Sequence, residues 1–201
     1  MDAPLLPAFA DCDMIAIMSN PFSDLFLRLS TGKGDFAAGQ RIFNQGDAIT
    51  WLYLVRAGAI HLVRYQADGN VAVLQRASPG MVLAEASVFS SRYHCDAVAV
   101  TNSEALIIPV NSVRRLLRSD HVFAETWASY LSHQLQQARK RAEIASLKTV
   151  AARLSAWLAW NDGLLPSKGE WKNLADEIGV SPEALYRELA KRGKSFSHKT
   201  S

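Results

Sequence analysis

The sequence predicts an α+β protein in which an N-terminal β-roll (a double-stranded β-helix, or jelly roll) leads into a long helix and a small helical module. Three features carry this prediction: short apolar runs separated by glycines, a long stretch without glycine or proline, and a helix-turn-helix pattern near the end. The predicted boundaries are 1–118 for the roll, 119–161 for the long helix and 162–201 for the helical module.

The composition is that of a folded protein whose charge is unevenly distributed. Of the 201 residues, 49% are hydrophobic and 20% are charged, which excludes a disordered chain. Residues 1–110 contain seven basic and ten acidic side chains, whereas residues 111–201 contain fifteen and nine. The two parts therefore carry −3 and +6, and the positive part favours a polyanionic partner.

The first residues and the cysteines restrict the compartment and the chemistry. Asp2 stands where a secretory signal peptide would carry a basic residue, and no apolar run approaches the ~18 residues of a membrane span. We therefore expect a cytoplasmic protein with no membrane partner. Cys12 and Cys95 form no CxxC pair, which argues against a disulfide scaffold or a zinc ribbon. Cys12, Met14 and Met18 are interpreted as packing residues.

The β-roll is predicted from β-type runs at 51–55, 60–63, 71–74, 97–100 and 105–108. Tight turns are expected at five glycines, which reach positive φ without steric cost: Gly39, Gly46, Gly58, Gly69 and Gly80. Asp68-Gly69 is the clearest hairpin turn. Closing these strands into a roll hides their edges, and one or two short helices within 8–31 would cap it.

Residues 119–161 are predicted to form roughly 60 Å of helix, interrupted at most once and capped at Ser119 or Asp120. A narrow apolar stripe runs along this helix: Trp127, Leu131, Leu135, Ala138, Ala142 and Ala145. Such a stripe on so long a helix is typical of a coiled-coil seam, so we expect a parallel homodimer.

The segment 171–190 has the pattern of a helix-turn-helix. Leu174, Ala175 and Ile178 would face inward from a first helix, Gly179 would allow the sharp turn, and Ser181 would cap the second helix. Arginine suits guanine and glutamate suits cytosine in the major groove, so double-stranded DNA is the predicted partner. The candidate DNA-contacting residues are Ser181, Glu183, Tyr186, Arg187 and Lys191. The alternative interpretation of these charges is a solvated surface.

A longer motif runs through the first part of the roll. It reads Phe36-x-x-Gly39-x-x-Ile42-Phe43-x-x-Gly46-Asp47 and continues as Leu52-Tyr53-x-Val55-x-x-Gly58. This motif, and the order of roll, dimer helix and helix-turn-helix, resemble the CRP/FNR family of bacterial transcription regulators over nearly the whole chain. The resemblance implies a cyclic-nucleotide-binding-like roll that senses a small signal, and a homodimer that binds operator DNA.

The chain departs from the family pattern in and after the recognition helix. Pro182 stands where the family carries an arginine, and Glu188 occupies a position that is usually apolar. After Gly193 only eight residues follow, too few for the family's two-stranded wing. We expect either a frayed terminus or a flexible basic arm that contains Lys191, Arg192, Lys194 and Lys199.

The ligand cassette also departs from the family pattern. In the family it begins with a glutamate that binds a ribose hydroxyl and ends in an arginine that holds the cyclic phosphate. Here Cys95 stands at that arginine and Asp96 follows, whose carboxylate would repel a phosphate. Cyclic nucleotides are therefore disfavoured unless Arg92 supplies a guanidinium. The candidate ligand-binding residues are Glu85, Ser87, Arg92, His94, Cys95, Asp96 and Ala97.

The identity of the effector stays open, and no cofactor is assigned. His94, Cys95 and Asp96 are three kinds of metal or haem ligand, but strand alternation would point Cys95 away from the other two, so they would not form one chelate. A buried structural cysteine beside a surface histidine is the commoner arrangement. The remaining effector classes are a neutral or cationic small molecule, a metal, haem, or an oxidant that acts on Cys95.

Two function classes remain. The sequence contains no nucleophile elbow, P-loop or HExxH motif, and only His61 and His94 lie within the roll, so an enzyme is not indicated. A DNA-binding transcription regulator is the main hypothesis. The alternative is a dimeric ligand-sensing or interaction protein that has lost specific DNA binding.

Overall fold

A computed structural model describes residues 24–197. Contacts within the chain divide it into two compact units, Met1–Ala128 and Ser129–Ser201. The strands are β1 Gly32–Phe36, β2 Arg41–Phe43, β3 Trp51–Ala57, β4 Ile60–Tyr65, β5 Val71–Ala77, β6 Val82–Leu83, β7 Asp96–Ala99 and β8 Ser103–Pro109. The helices are α1 at 24–29, α2 Val110–Ser119, α3 His121–Ser146, α4 Val150–Trp160, α5 Trp171–Glu177 and α6 Pro182–Ser197.

The strands pair into two antiparallel sheets, ordered β1-β8-β3-β6 and β2-β7-β4-β5. Strands that follow each other in the chain thus often lie in different sheets, as a jelly roll requires. The predicted α+β fold class with an N-terminal roll is confirmed.

All five predicted β-type runs lie largely within strands. The sequence did not indicate β1, β2 and β6, which are short and lack a clear alternation of apolar and polar residues. Strand β1 has the sequence GKGDF and is held by its pairing with β8 along its whole length, from Gly32 opposite Ile107 to Phe36 opposite Ser103. Its conformation is decided by the neighbouring strand rather than by local propensity.

Two turns of the roll show why their residues allowed the turns to be predicted from the sequence. Gly58, between β3 and β4, has φ +80°, and a Cβ atom there would collide with the carbonyl of Asn102 and with Ser103. In the hairpin between β4 and β5, the Asp68 carboxylate accepts the Asn70 N–H at 3.0 Å. The hairpin predicted at Asp68-Gly69 is confirmed.

The core of the first unit includes an aromatic cluster in which Phe26 of α1 stacks on Phe123 and Trp127 of α3, with ring centroids 6.4 and 5.9 Å away. Trp127 is only 3% exposed. The prediction that Trp127 opens the dimer seam is therefore wrong, because this side chain is already packed inside its own chain. Cys12, Met14 and Met18 lie outside the described residues.

The predicted long helix is interrupted once. Helix α3 ends at Ser146 and α4 begins at Val150, where the Thr149 hydroxyl accepts the Ala152 N–H at 3.1 Å. The start is capped by Asp120, whose carboxylate accepts the Phe123 N–H at 3.0 Å. The other candidate cap, Ser119, is instead the last residue of α2.

The second unit has its own apolar core, formed by Ile144, Leu154, Trp157, Leu174, Ala175, Ile178 and Leu185. Within residues 24–197, no helix is long and apolar enough to cross a bilayer.

Candidate effector site and nucleic-acid interface

The cassette residue Glu85 begins a 3₁₀ turn, Glu85–Ser87, directly after β6. Ala84 precedes it in the left-handed region at φ 65°, which is strained for a residue with a Cβ atom. The Glu85 Oε1 atom lies 3.4 Å from Gln75 Nε2 of β5, while its Oε2 atom is buried without a partner. Burial raises the pKa of this carboxyl from 4.5 to about 7.

Cys95 and Asp96 are both buried, with 2% and 7% of their surface exposed. Burial raises the pKa of the Cys95 thiol to about 11, so the thiol is protonated at neutral pH and is a poor nucleophile. The Asp96 Oδ1 atom accepts the backbone N–H of Gln45 at 3.1 Å. The carboxylate thus binds the chain itself, and a redox role for Cys95 gains no support.

His94 is exposed, and its Nδ1 atom lies 2.8 Å from the Ser87 hydroxyl. The neighbouring Cys95 is buried, which agrees with the interpretation of a structural cysteine beside a surface histidine. Among the described residues, no group of three or more His, Cys, Asp or Glu side chains could hold a metal ion.

The other two cassette candidates, Arg92 and Ala97, differ in their surroundings. Arg92 is exposed, and its guanidinium donates to the carbonyl of Gly46 at 2.5 Å. Its backbone also pairs with Ala48 in an isolated β-bridge, so Arg92 contacts the 46–48 loop. Ala97 is fully buried on β7, opposite Leu62 of β4.

Arg64 of β4 is a further polar residue at this site, and the sequence analysis missed it. Its Nη2 atom donates to the carbonyl of His94 at 2.8 Å, and its Nε atom is buried without a partner. Its charge counteracts the rise in the pKa of Cys95. The alternation of side chains along β4 could have identified it, because Arg64 lies on the same face of the strand as Ile60 and Leu62. Both of these residues are buried.

In the second unit, helix α5, a tight turn and helix α6 follow one another where the sequence predicts a helix-turn-helix. The inward residues Leu174, Ala175 and Ile178 are at most 2% exposed. Gly179 makes the turn at φ +67°. The Ser181 hydroxyl accepts the Ala184 N–H at 3.2 Å, so the predicted N-cap of α6 is present.

The five candidate DNA-contacting residues are all exposed. Hydrogen bonds from the backbone N–H of Glu183 itself and from the Ser181 hydroxyl, with a smaller contribution from the charge of Arg187 one turn away, hold the pKa of the Glu183 carboxyl below its ordinary value. The Tyr186 ring is 5.6 Å from the Trp171 ring of α5, which orients it without burying it. The set therefore presents an ionised carboxylate, a phenol and two cations to solvent.

The unexpected Glu188 is explained by Arg192. The Arg192 Nε atom lies 2.9 Å from Glu188 Oε1, and its Nη2 atom donates to the Ala151 carbonyl and the Ser155 hydroxyl of α4. The inclusion of Arg192 in a flexible basic arm is therefore wrong, because its guanidinium ties α6 to α4. Helix α6 continues past Gly193 to Ser197, and Lys199 lies outside the described residues.

Comparison with known proteins agrees with this architecture. Residues 33–120 match the family model for the cyclic nucleotide-binding domain. A curated relative, the cyclic AMP receptor protein of Thermus thermophilus, is 28% identical over 121 residues, which cover 60% of this chain and 56% of that protein. The match thus spans a little over half of the relative's length.

Two solved structures share the fold. The structure of FixK2 from Bradyrhizobium japonicum has a TM-score of 0.66 and 18% identity, and the alignment covers 82% of this chain and 85% of FixK2. TTHB099, a CRP-family transcriptional regulator from Thermus thermophilus, has a TM-score of 0.58 and 19% identity, with 81% and 85% covered. Residues 33–120 are thus similar to the cyclic nucleotide-binding domain, and the fold of the chain is similar to that of FixK2 and TTHB099.

Proposed function

We propose that the protein is a cytoplasmic transcription regulator that senses a small signal through its β-roll and binds operator DNA as a homodimer. In this proposal residues 1–118 are the sensor, 119–161 form the dimerisation helix and 162–201 bind DNA.

The observation that carries the proposal is the solvent face of α6. Glu183, Tyr186, Arg187 and Lys191 all lie exposed on a helix that follows a tight turn. The other face of α6 is held to its own unit by Leu185 in the core and by Arg192 on α4. A rigidly held helix with an exposed polar face is what insertion into the major groove requires.

The exposed remainder of the α3 stripe supports the homodimer. Leu135 is 51% exposed, Leu131 is half-buried, and the small residues Ala138, Ala142 and Ala145 are exposed. A second copy of the same helix would cover this stripe, and two-fold symmetry would present two copies of α6 to two operator half-sites.

The experiment is selection of bound sequences from a random DNA library, followed by fluorescence anisotropy on the enriched site. We expect a palindrome whose half-sites are centred about one helical turn, roughly 34 Å, apart. Arg187→Ala should weaken binding by about 1–3 kcal/mol and relax base preference in each half-site.

The matched control is Arg115→Ala, which removes an exposed arginine from α2 in the other unit and should leave the affinity unchanged. If the wild type enriches no sequence and shifts no genomic fragment, the protein is instead the dimeric sensor that lacks specific DNA binding.

A further inference from the structure

Two aromatic side chains of the second unit contact each other across the turn between α5 and α6. Trp171 is the first residue of α5, and Tyr186 lies in the second turn of α6. Their ring centroids are 5.6 Å apart and the ring planes are tilted by 47°, a separation at which aromatic pairs attract each other. Tyr186 nevertheless stays 42% exposed, so this contact orients the phenol ring without placing it in the core.

The Trp171 ring is itself held in place from two directions. Its Nε1–H donates to the Pro166 carbonyl at 3.1 Å, and the ring packs against the apolar core of the second unit. An indole held both at its polar atom and at its apolar surface has little rotational freedom. The Tyr186 ring therefore rests on a fixed support, which restricts the rotamers that an exposed helical tyrosine could otherwise adopt.

Tyr186 lies on the solvent face of α6. Four exposed residues share this face because they follow the spacing i, i+3, i+4 and i+7: Glu183, Tyr186, Arg187 and Ala190. Leu185, the residue before Tyr186, is fully buried, so the face points away from the core. An oriented aromatic ring on this face is suited to an apolar contact. In the major groove, the methyl group of thymine is the apolar group that distinguishes it from the other bases.

We propose that Tyr186 reads a thymine of the operator through its methyl group, and that Trp171 is the positioning residue that holds the Tyr186 ring for this contact. The inference rests on the DNA binding proposed for α6. It adds a base preference that Glu183 and Arg187 do not supply, because a carboxylate suits cytosine and a guanidinium suits guanine. Trp171 acts through Tyr186 and does not touch the DNA itself.

Replacement of thymine by deoxyuridine tests the contact, because it removes only the methyl group from the major groove and keeps the base pair. Each thymine in one half-site of the enriched operator is replaced in turn, and the affinity of the full-length protein is measured by fluorescence anisotropy. We expect one of these replacements to weaken wild-type binding by about fourfold, as the burial of one methyl group implies.

Substitutions of the tyrosine assign this difference to its ring. Tyr186→Ala should bind the thymine and deoxyuridine duplexes equally, whereas Tyr186→Phe should keep the difference because the ring remains. If the Tyr186 hydroxyl instead binds a phosphate, Tyr186→Phe will weaken binding to both duplexes and no thymine will be distinguished from deoxyuridine. That result would overturn the proposal.

Substitutions of the tryptophan test its positioning role. Trp171→Leu should lose most of the difference between the two duplexes, and Trp171→Phe, which keeps a smaller ring, should retain part of it. Trp160→Leu removes another half-exposed tryptophan of the same unit, on α4, and should keep the full difference. A purely structural role of Trp171 would weaken binding to both duplexes alike and leave their ratio unchanged, which would contradict the proposal.

Cooperative thermal unfolding shows which variants are folded. If Trp171→Leu does not fold, Trp171→Phe decides the positioning role, and a ratio equal to that of the wild type overturns it. A protein that enriches no operator would overturn the regulator function and this inference together. A protein that binds its operator but distinguishes no thymine from deoxyuridine would overturn this inference alone.

Discussion

Arg153 of α4 shows how one side chain organises the second unit. Its guanidinium donates to four backbone carbonyls, those of Ala145, Leu147, Ile178 and Gly179, at 2.7 to 3.2 Å. Two of these carbonyls lie at the end of α3 or just after it, and two lie in the turn of the helix-turn-helix. One residue thus joins the end of the long helix to the turn before α6.

Arg153→Met should therefore destabilise the second unit. The variant keeps the length of the aliphatic stem and loses every donor, so we expect a loss of about 2 kcal/mol in the free energy of unfolding. Urea unfolding followed by circular dichroism measures it. Arg139→Met, at an exposed position of α3, is the control and should change little. Equal effects of the two substitutions would contradict the role given to Arg153.

Glu85 makes stability depend on pH, because its pKa is about 7 in the folded protein against an ordinary 4.5. Between these values the folded protein keeps a proton that the unfolded chain releases, so the stabilisation that this group contributes is full below pH 4.5 and is lost as the pH rises towards 7. Across this window, the group lowers the free energy of unfolding by up to about 1.4 kcal/mol per pH unit.

Glu85→Gln should remove this contribution, because the amide does not titrate. Urea unfolding at pH 5, 6 and 7 should give a smaller decline for the variant than for the wild type. Parallel declines for the two proteins would show that Glu85 does not titrate in this range.

At the scale of elements, helix α3 has two different parts. Its first turns carry Phe123 and Trp127 into the core of the first unit, and Ile144 near its end enters the core of the second. Between these anchors the stripe that contains Leu131 and Leu135 stays largely uncovered. The exposed length of the seam is therefore shorter than the apolar pattern alone predicts.

Replacing Leu131 and Leu135 together by lysine should convert the proposed dimer into a monomer, because like charges would face each other across the seam. Light scattering after size exclusion should report one chain instead of two at micromolar concentration. The control pair Ser129→Lys and Gln136→Lys adds the same charge on the opposite face of the helix and should stay dimeric. A wild type that is already monomeric would refute the seam.

At the scale of the whole molecule, the charge is divided along the chain. Residues 111–201 carry +6 and residues 1–110 carry −3. A polyanion is therefore attracted mainly by the C-terminal part, and phosphate contacts there should make DNA binding strongly dependent on salt.

Lys191→Ala should weaken binding to specific and random DNA alike and reduce the slope of log K against log salt by about 1, because one phosphate contact is lost. Anisotropy titrations between 50 and 200 mM salt (roughly the range in which such contacts dominate) measure both quantities. Arg187→Ala should have a different effect, because its loss of affinity should be mainly for the specific site. A Lys191 variant that loses base preference would contradict this division of roles.

The fold class, the five longer strands, the hairpin at Asp68-Gly69, and helices α5 and α6 with the cap at Ser181 could all be predicted from the sequence. These features depend on local periodicity, turn chemistry and capping, which are determined by residues that are close together in the sequence. Three features could not be predicted in this way: Trp127 lies in a core, Glu188 pairs with Arg192, and Arg64 contacts the cassette from another strand. Each of these depends on which distant elements meet, and a linear pattern does not specify that.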